Sequence, residues 1–147
     1  MKPLTAIVPD FRDALEEGVE DATRAIVYDL KREGPFWTGF FESLWGVNAG
    51  KKAIQGTIDN PLDVPNQPLK REITPVDVPE SPNLGGYTIG NRAKYRAYAM
   101  DLVPGKGARA SANARLTAPR NWFDRYFNSG MRTTINTQLN SVFRRYK

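Results

Sequence analysis

The chain has 147 residues, 40% hydrophobic and 11% aromatic, with a net charge of +5 and neither Cys nor His. That is one domain's worth of sequence, enough to bury a core. The two missing residue types exclude disulfides, thiol nucleophiles, zinc sites of the ordinary kind and every triad with an imidazole base.

The N-terminal segment, residues 1–9, carries a short apolar patch broken by Pro9 and Asp10, which makes a poor signal peptide. No stretch approaches the roughly 18–20 apolar residues of a membrane span. Both points read as a soluble product made in the cytoplasm.

The first element is predicted from about Asp10 to Glu33. Phe11, Leu15, Val19, Ala22, Ile26 and Leu30 recur at spacings of three and four, one stripe of an amphipathic helix. Asp10 is the predicted N-cap, and Gly34-Pro35 is a stop signal.

Residues 35–47, PFWTGFFESLWGV, follow. Phe36, Trp37, Phe40, Phe41, Leu44 and Trp45 cannot all face water. They are either core or a surface that a neighbouring subunit covers, since aromatics concentrate at interface centres. Thr38-Gly39 reads as a turn, leading into a strand within 41–48.

Residues 57–86 are Pro-rich, with Pro61, Pro65, Pro68, Pro75, Pro79 and Pro82 among Asn, Asp and Gly. Such an excursion is rare in a compact domain. It is a disordered loop or an extended arm that becomes ordered on a partner. Lys70–Val78 has strand character, limited to an edge by Pro75.

A strand is predicted over Tyr87–Gly90. A second apolar segment, strand or short helix, places Tyr95, Tyr98 and either Ala99 or Leu102 on one side. Residues 104–114, PGKGARASANA, form a basic loop. The last helix is predicted to start near Pro119 and run to the C-terminus. Its stripe is Phe123, Phe127, Met131, Ile135, Leu139 and Phe143, with Trp122, Tyr126 and Val142 beside it. Gly130 inside it kinks the helix or admits another backbone.

The charge is polarised. Residues 10–34 carry the acids Asp10, Asp13, Glu16, Glu17, Glu20, Asp21, Asp29 and Glu33 against Arg12, Arg24, Lys31 and Arg32. Residues 115–147 carry Arg115, Arg120, Arg125, Arg132, Arg144, Arg145 and Lys147 against Asp124 alone. Unlike ends attract copies head to tail, unless both are simply solvated helix faces.

No catalytic motif is present. Gly105-Lys106-Gly107 lacks the rest of a phosphate loop, and Glu16-Glu17 and Glu20-Asp21 lie on a helix margin rather than in a pocket. No cofactor or metal is expected, and the reading is of a protein that is not an enzyme. The predicted core anchors are Leu15, Ile26, Leu30, Trp122, Phe123, Phe127, Ile135 and Leu139. The candidate subunit-interface residues are Trp37, Phe40, Phe41, Trp45, Pro65, Pro68 and Pro75.

The order of features carries a resemblance. A long helix ends at Gly34 and is followed by Pro35-x-x-Thr38-Gly39-Phe40-x-x-Ser43. Ile89-Gly90-Asn91 and Tyr95 to Tyr98-Ala99 come next, then the Gly-containing loop, and Ala118-Pro119-x-x-Trp122-Phe123 opens the last helix. Over residues 11–143 this resembles the neck and tail-completion, or tail terminator-like, proteins of tailed bacteriophages. The chain departs from the family pattern in its longer segment 57–86 and in Asp101-Leu102-Val103-Pro104-Gly105, where a glutamate often precedes the loop glycine.

The resemblance implies an α+β fold over residues 1–147 as a single domain. Its sheet is small and mainly antiparallel, with a long N-terminal and a long C-terminal helix packed on it. It also implies a virion protein that assembles into a ring of roughly six or twelve copies around the DNA channel. The partners would be the chain itself and other neck, portal-side or tail-tube proteins, with non-specific DNA contact in the channel. There would be no membrane and no small-molecule substrate. The alternative is a small basic nucleic-acid-binding accessory protein, on the strength of the sequence pI of about 9.6.

Overall fold

The computed structural model describes residues 4–59, 65, 67, 69–101 and 118–146. The predicted loop 104–114, Leu102, Pro68 and residues 60–64 lie outside the described residues. The fold is α+β: two long helices packed on each other, with a two-stranded antiparallel ribbon.

Helix α1 spans Leu4–Glu33. Its buried row is Ala14, Gly18, Ala22, Ile26 and Leu30, with Val27 fully buried beside it; Ala22, Ile26 and Leu30 lie on the predicted stripe, whereas Leu15 and Val19 are half-buried and Phe11 is exposed. The helix stops where the Gly34 N–H bonds the Leu30 carbonyl at 3.1 Å, just before Pro35. It starts earlier than predicted, and Pro9 lies inside it. The proline removes one bond near the N-terminus, where few turns depend on it, and the Ile7, Val8 and Phe11 row continues the helical period across it. Asp10 is therefore not the N-cap.

The turn at Thr38-Gly39 is present. Gly39 has φ 84°, a conformation open to glycine at little cost, and it leads into the one-turn helix α2, Phe40–Ser43. Strand β1, Trp45–Ala49, pairs antiparallel with β2, Tyr87–Asn91, with Val47 opposite Ile89. Asn91, 5% exposed, fastens the ribbon: its amide donates to the Phe41 carbonyl at 2.8 Å and its carbonyl accepts from the Ala93 N–H at 2.8 Å. Lys70–Val78 joins no ladder; Ile73, Val76 and Val78 are half-buried, Val76 against the core. The segment after β2 forms the short helix α3, Arg96–Ala99.

The C-terminal helix is three consecutive pieces. Helix α4, Trp122–Arg125, runs through a π-helical turn, Tyr126–Gly130, into α5, Met131–Arg145. It starts three residues after Pro119, because Asn121 sits at φ 53° outside the helix. The π turn holds one more residue than an α turn. The inward row is thereby moved from the predicted 123–127–131 to Trp122, Tyr126 and Met131, and then Ile135. Phe127, predicted as a core anchor, is 58% exposed for this reason. Gly130 keeps helical dihedrals, φ −60° and ψ −42°, and its nearest neighbours are side-chain atoms rather than a second backbone. It leaves room for the Tyr126 ring, whose Cδ2 would lie 2.7 Å from an added Cβ.

α1 and α5 run antiparallel and close. At Gly18 an added Cβ would stand 2.7 Å from Leu139 Cδ2. One core joins all the elements: Ile26, Val27 and Leu30 from α1, Phe41, Trp45, Ala99 and Met100, then Trp122 and Tyr126, with Val47 and Ile89 of the ribbon packed against them. The Trp122 indole N–H donates to the Ala99 carbonyl at 2.9 Å, so its one polar atom is satisfied inside. Leu15, Phe123, Ile135 and Leu139 are half-buried; Ile26, Leu30 and Trp122 are buried.

Candidate functional site

The C-terminal end of α1 carries the densest polar network. Lys31 and Glu42 lie 3.3 Å apart with side chains 3% exposed each. Thr74, from the Pro-rich segment, completes the set. Its carbonyl and hydroxyl oxygens accept from the Lys31 ammonium at 2.9 and 3.1 Å, and its own N–H donates to Glu42 Oε1 at 3.0 Å. Arg71 donates to the carbonyls of Arg32 and of Gly34, the latter at 2.9 Å, in the manner of a cap on the helix terminus. Its guanidinium lies 5.3 Å from the Phe36 ring centroid. Burial lowers the Arg71 pKa, against the raising influence of Glu33 and Glu42. The described part of segment 57–86 is thus bound to its own chain. The Leu69 N–H donates to the Trp37 carbonyl at 2.7 Å, and the Trp37 indole donates to the Pro65 carbonyl at 2.7 Å.

This placement sorts the candidate interface residues. Phe41 and Trp45 are 7% and 5% exposed and belong to the core; they offer no surface to a neighbour. Their ring contact at 5.9 Å is edge-on and internal. Trp37 and Phe40 are half-buried, and Pro65 and Pro75 are exposed. Pro68 lies outside the described residues. The Trp45 indole nitrogen is buried with no hydrogen-bond partner among the described residues.

A second network joins the long helices. Asp29 accepts from the Tyr126 hydroxyl at 2.9 Å and from the Thr134 hydroxyl at 2.6 Å, and pairs with Arg32 at 3.2 Å. Burial pushes the Tyr126 phenol far up; the Asp29 carboxylate adds to the shift and the Thr134 hydrogen bond opposes it. The phenol therefore stays neutral and acts as a donor. A cleft of about 430 Å3 lies here, lined by Asp29, Arg32, Arg125, Tyr126, Ser129 and Thr133 among others. Its hydroxyls are committed: Ser129 and Thr133 donate to helix carbonyls at 2.9 and 3.4 Å, and Thr134 and Tyr126 to Asp29. The arrangement is a strut between helices rather than a set of groups poised on a substrate. A second cleft, about 300 Å3, lies beside β2 and α3. Among the described residues no three acidic side chains group as metal ligands, and no helix is long and apolar enough to cross a membrane.

The outer surface divides by charge less than the sequence implied. Arg145, from the basic end, pairs with Glu17 at 2.6 Å and Asp21 at 3.5 Å on the acidic helix, and the Tyr146 hydroxyl donates to Glu17 at 3.1 Å. Part of the unlike charge is thus met within one chain. Arg125, Arg132 and Arg144 have no ion pair among the described residues. Large apolar groups stay exposed at both ends of the helical pair: Ile7, Val8 and Phe11 at one, Phe127 at the other.

The sequence reading missed Lys31, Glu42, Thr74 and Arg71 as a unit. Its one signal was Lys31, four residues after Val27 and so near the inward side of α1. Asp29 was counted only as charge. Comparison with protein-family models, with curated proteins and with solved structures found no match.

Proposed function

We propose that this protein is a structural subunit that works by self-assembly, and that its assembly is a ring at the head–tail junction or the top of the tail of a tailed bacteriophage. The self-assembly part is supported by one observation above all. Aromatic and aliphatic groups stay exposed at two separate ends of a helical pair whose interior polar groups satisfy one another. Apolar patches of this kind mark contact surfaces. Its described buried polar networks join chain segments to one another. The phage part rests on the motif order from Pro35 to Phe123. Light scattering after size exclusion, together with negative-stain images, tests the reading. Closed rings of one size support it, and a monomer at every concentration overturns it.

A second reading is favoured by Arg125, Arg132 and Arg144, exposed on a rod that carries no acid after Asp124. Such a surface suits non-specific contact with nucleic-acid phosphates. It predicts a duplex-DNA affinity that falls steeply between about 50 and 200 mM salt. A monomer with that behaviour is the accessory protein rather than the ring subunit.

A further inference from the structure

Residues 69–76 form a strap held to the body by side chains and single bonds rather than by a strand ladder. Arg71 donates to the carbonyls of Arg32 and Gly34, and its guanidinium lies 5.3 Å from the Phe36 ring centroid. The Leu69 N–H donates to the Trp37 carbonyl at 2.7 Å, and the Thr74 N–H to Glu42 at 3.0 Å. These polar partners all lie within residues 31–42, so the seat is one short stretch of chain, well separated in sequence from the strap that fills it. The seat does not stay empty without cost. Lys31 and Glu42, 3% exposed each, share hydrogen bonds with Thr74, and an emptied seat leaves that buried pair short of them. The strap of another copy, identical in sequence, satisfies the pair equally well.

The return from the strap to β2 is strained. Asn83 and Leu84 are consecutive residues in the left-handed region, at φ 58° and 55°. Asparagine tolerates that region; leucine does not. Leu84 is 42% exposed, so its side chain gains little burial in return. The Ser81 hydroxyl, donating to the Gly86 carbonyl at 2.7 Å, closes the turn. Short strained returns favour exchange of the segment they close. With the turn opened, ten residues, 77–86, connect the strap to β2, and ten more, 59–68, separate it from Ile58, which bridges to Ala93. Ten extended residues reach about 33 Å.

We propose that the strap is exchanged between copies. Residues 69–76 of one copy dock on residues 31–42 of the next, where Arg71 caps the neighbour's α1 and Thr74 completes its Lys31–Glu42 pair. Each seat is then incomplete without a neighbour. The contacts made match the contacts given up, and relief of the strain at Leu84 tips the balance toward exchange. The inference deepens the self-assembly half of the proposed function, on which it rests, and is independent of the phage half.

The chain has no cysteine, so a disulfide can be placed at will. Trp37→Cys with Leu69→Cys in one chain joins seat to strap where a backbone hydrogen bond already holds the two residues, near the roughly 5–6 Å between Cα atoms that a disulfide spans. The double variant, folded by circular dichroism, is oxidised at a concentration at which light scattering shows the wild type assembled, then run denatured without reductant. Covalent oligomers are expected, and either single variant is expected to stay unlinked. A band of monomer size without free thiol, while the wild type assembles, overturns the exchange and leaves self-assembly standing. Closed dimers with both disulfides formed uphold the exchange and end the ring. A wild type that is monomeric at every concentration overturns both. Leu84→Asn keeps the turn without its strain. It is expected to weaken self-association of the otherwise wild-type chain roughly fivefold. Undiminished association overturns the strained turn as the cause of exchange.

Discussion

Lys31 depends on Glu42 for its charge and on Thr74 for its remaining hydrogen bonds. A buried pair of this sort adds little net stability over an apolar pair, but losing one member strands the other. Lys31→Met is therefore expected to cost about 3–5 kcal/mol in urea denaturation. Lys31→Met with Glu42→Leu is expected to regain most of it, since no charge is then left buried. Two tyrosines set the alkaline limit. Burial pushes Tyr95 up to about 12, and Tyr126 is raised further by burial and Asp29. Their unfolded counterparts titrate near 10. Folded phenols that hold their protons longer than unfolded ones contribute stability that is complete below about pH 10 and is lost as pH rises toward the folded values. Urea midpoints should stay flat through neutral pH and drop above about pH 10. Tyr126→Phe should flatten part of that drop, and a midpoint indifferent to alkali would show these phenols to be solvated.

At the scale of elements, the π turn is the feature with the widest consequences. It lets Trp122, Tyr126 and Met131 share one face although their spacing is four and then five. Removing one exposed residue from it, Asn128, restores ordinary spacing of four while keeping that inward row. The shortened protein is expected to keep its helical circular dichroism and a melting temperature within about 5 °C of the parent, a shift on the order of 1 kcal/mol. Collapse of cooperative melting would show that the π turn holds more than the register of the row. The strap at residues 69–76 is another element without regular structure. Its order comes from Arg71 on the helix terminus and Thr74 on a buried ion pair rather than from a strand ladder.

For the whole molecule, the core is centred on Trp122, which is 2% exposed and is reached from α1, α3 and the rod itself. Trp122→Ala is expected to cost about 3–5 kcal/mol. Phe127→Ala, five positions along the same rod, is expected to change stability by no more than about 0.5 kcal/mol in the monomer, because its ring already meets solvent. Thermal melts of both variants at low protein concentration decide the matter; equal losses would place Phe127 in the core after all.

The sequence alone determined that two long amphipathic helices bracket the chain, that Gly34-Pro35 ends the first, and that Ile26 and Leu30 turn inward. These are local properties, fixed by a 3.6-residue repeat and by residues that stop a helix. Only the tertiary structure decided which aromatics of 36–45 face the core, because a run apolar on every side carries no phase. The same holds for the one-residue shift at Tyr126–Gly130, a backbone choice stabilised by Asp29 nearly a hundred positions away. It holds as well for Lys31 and Glu42, whose burial and pairing beside Thr74 depend on three segments meeting, an arrangement that no window of neighbouring residues encodes.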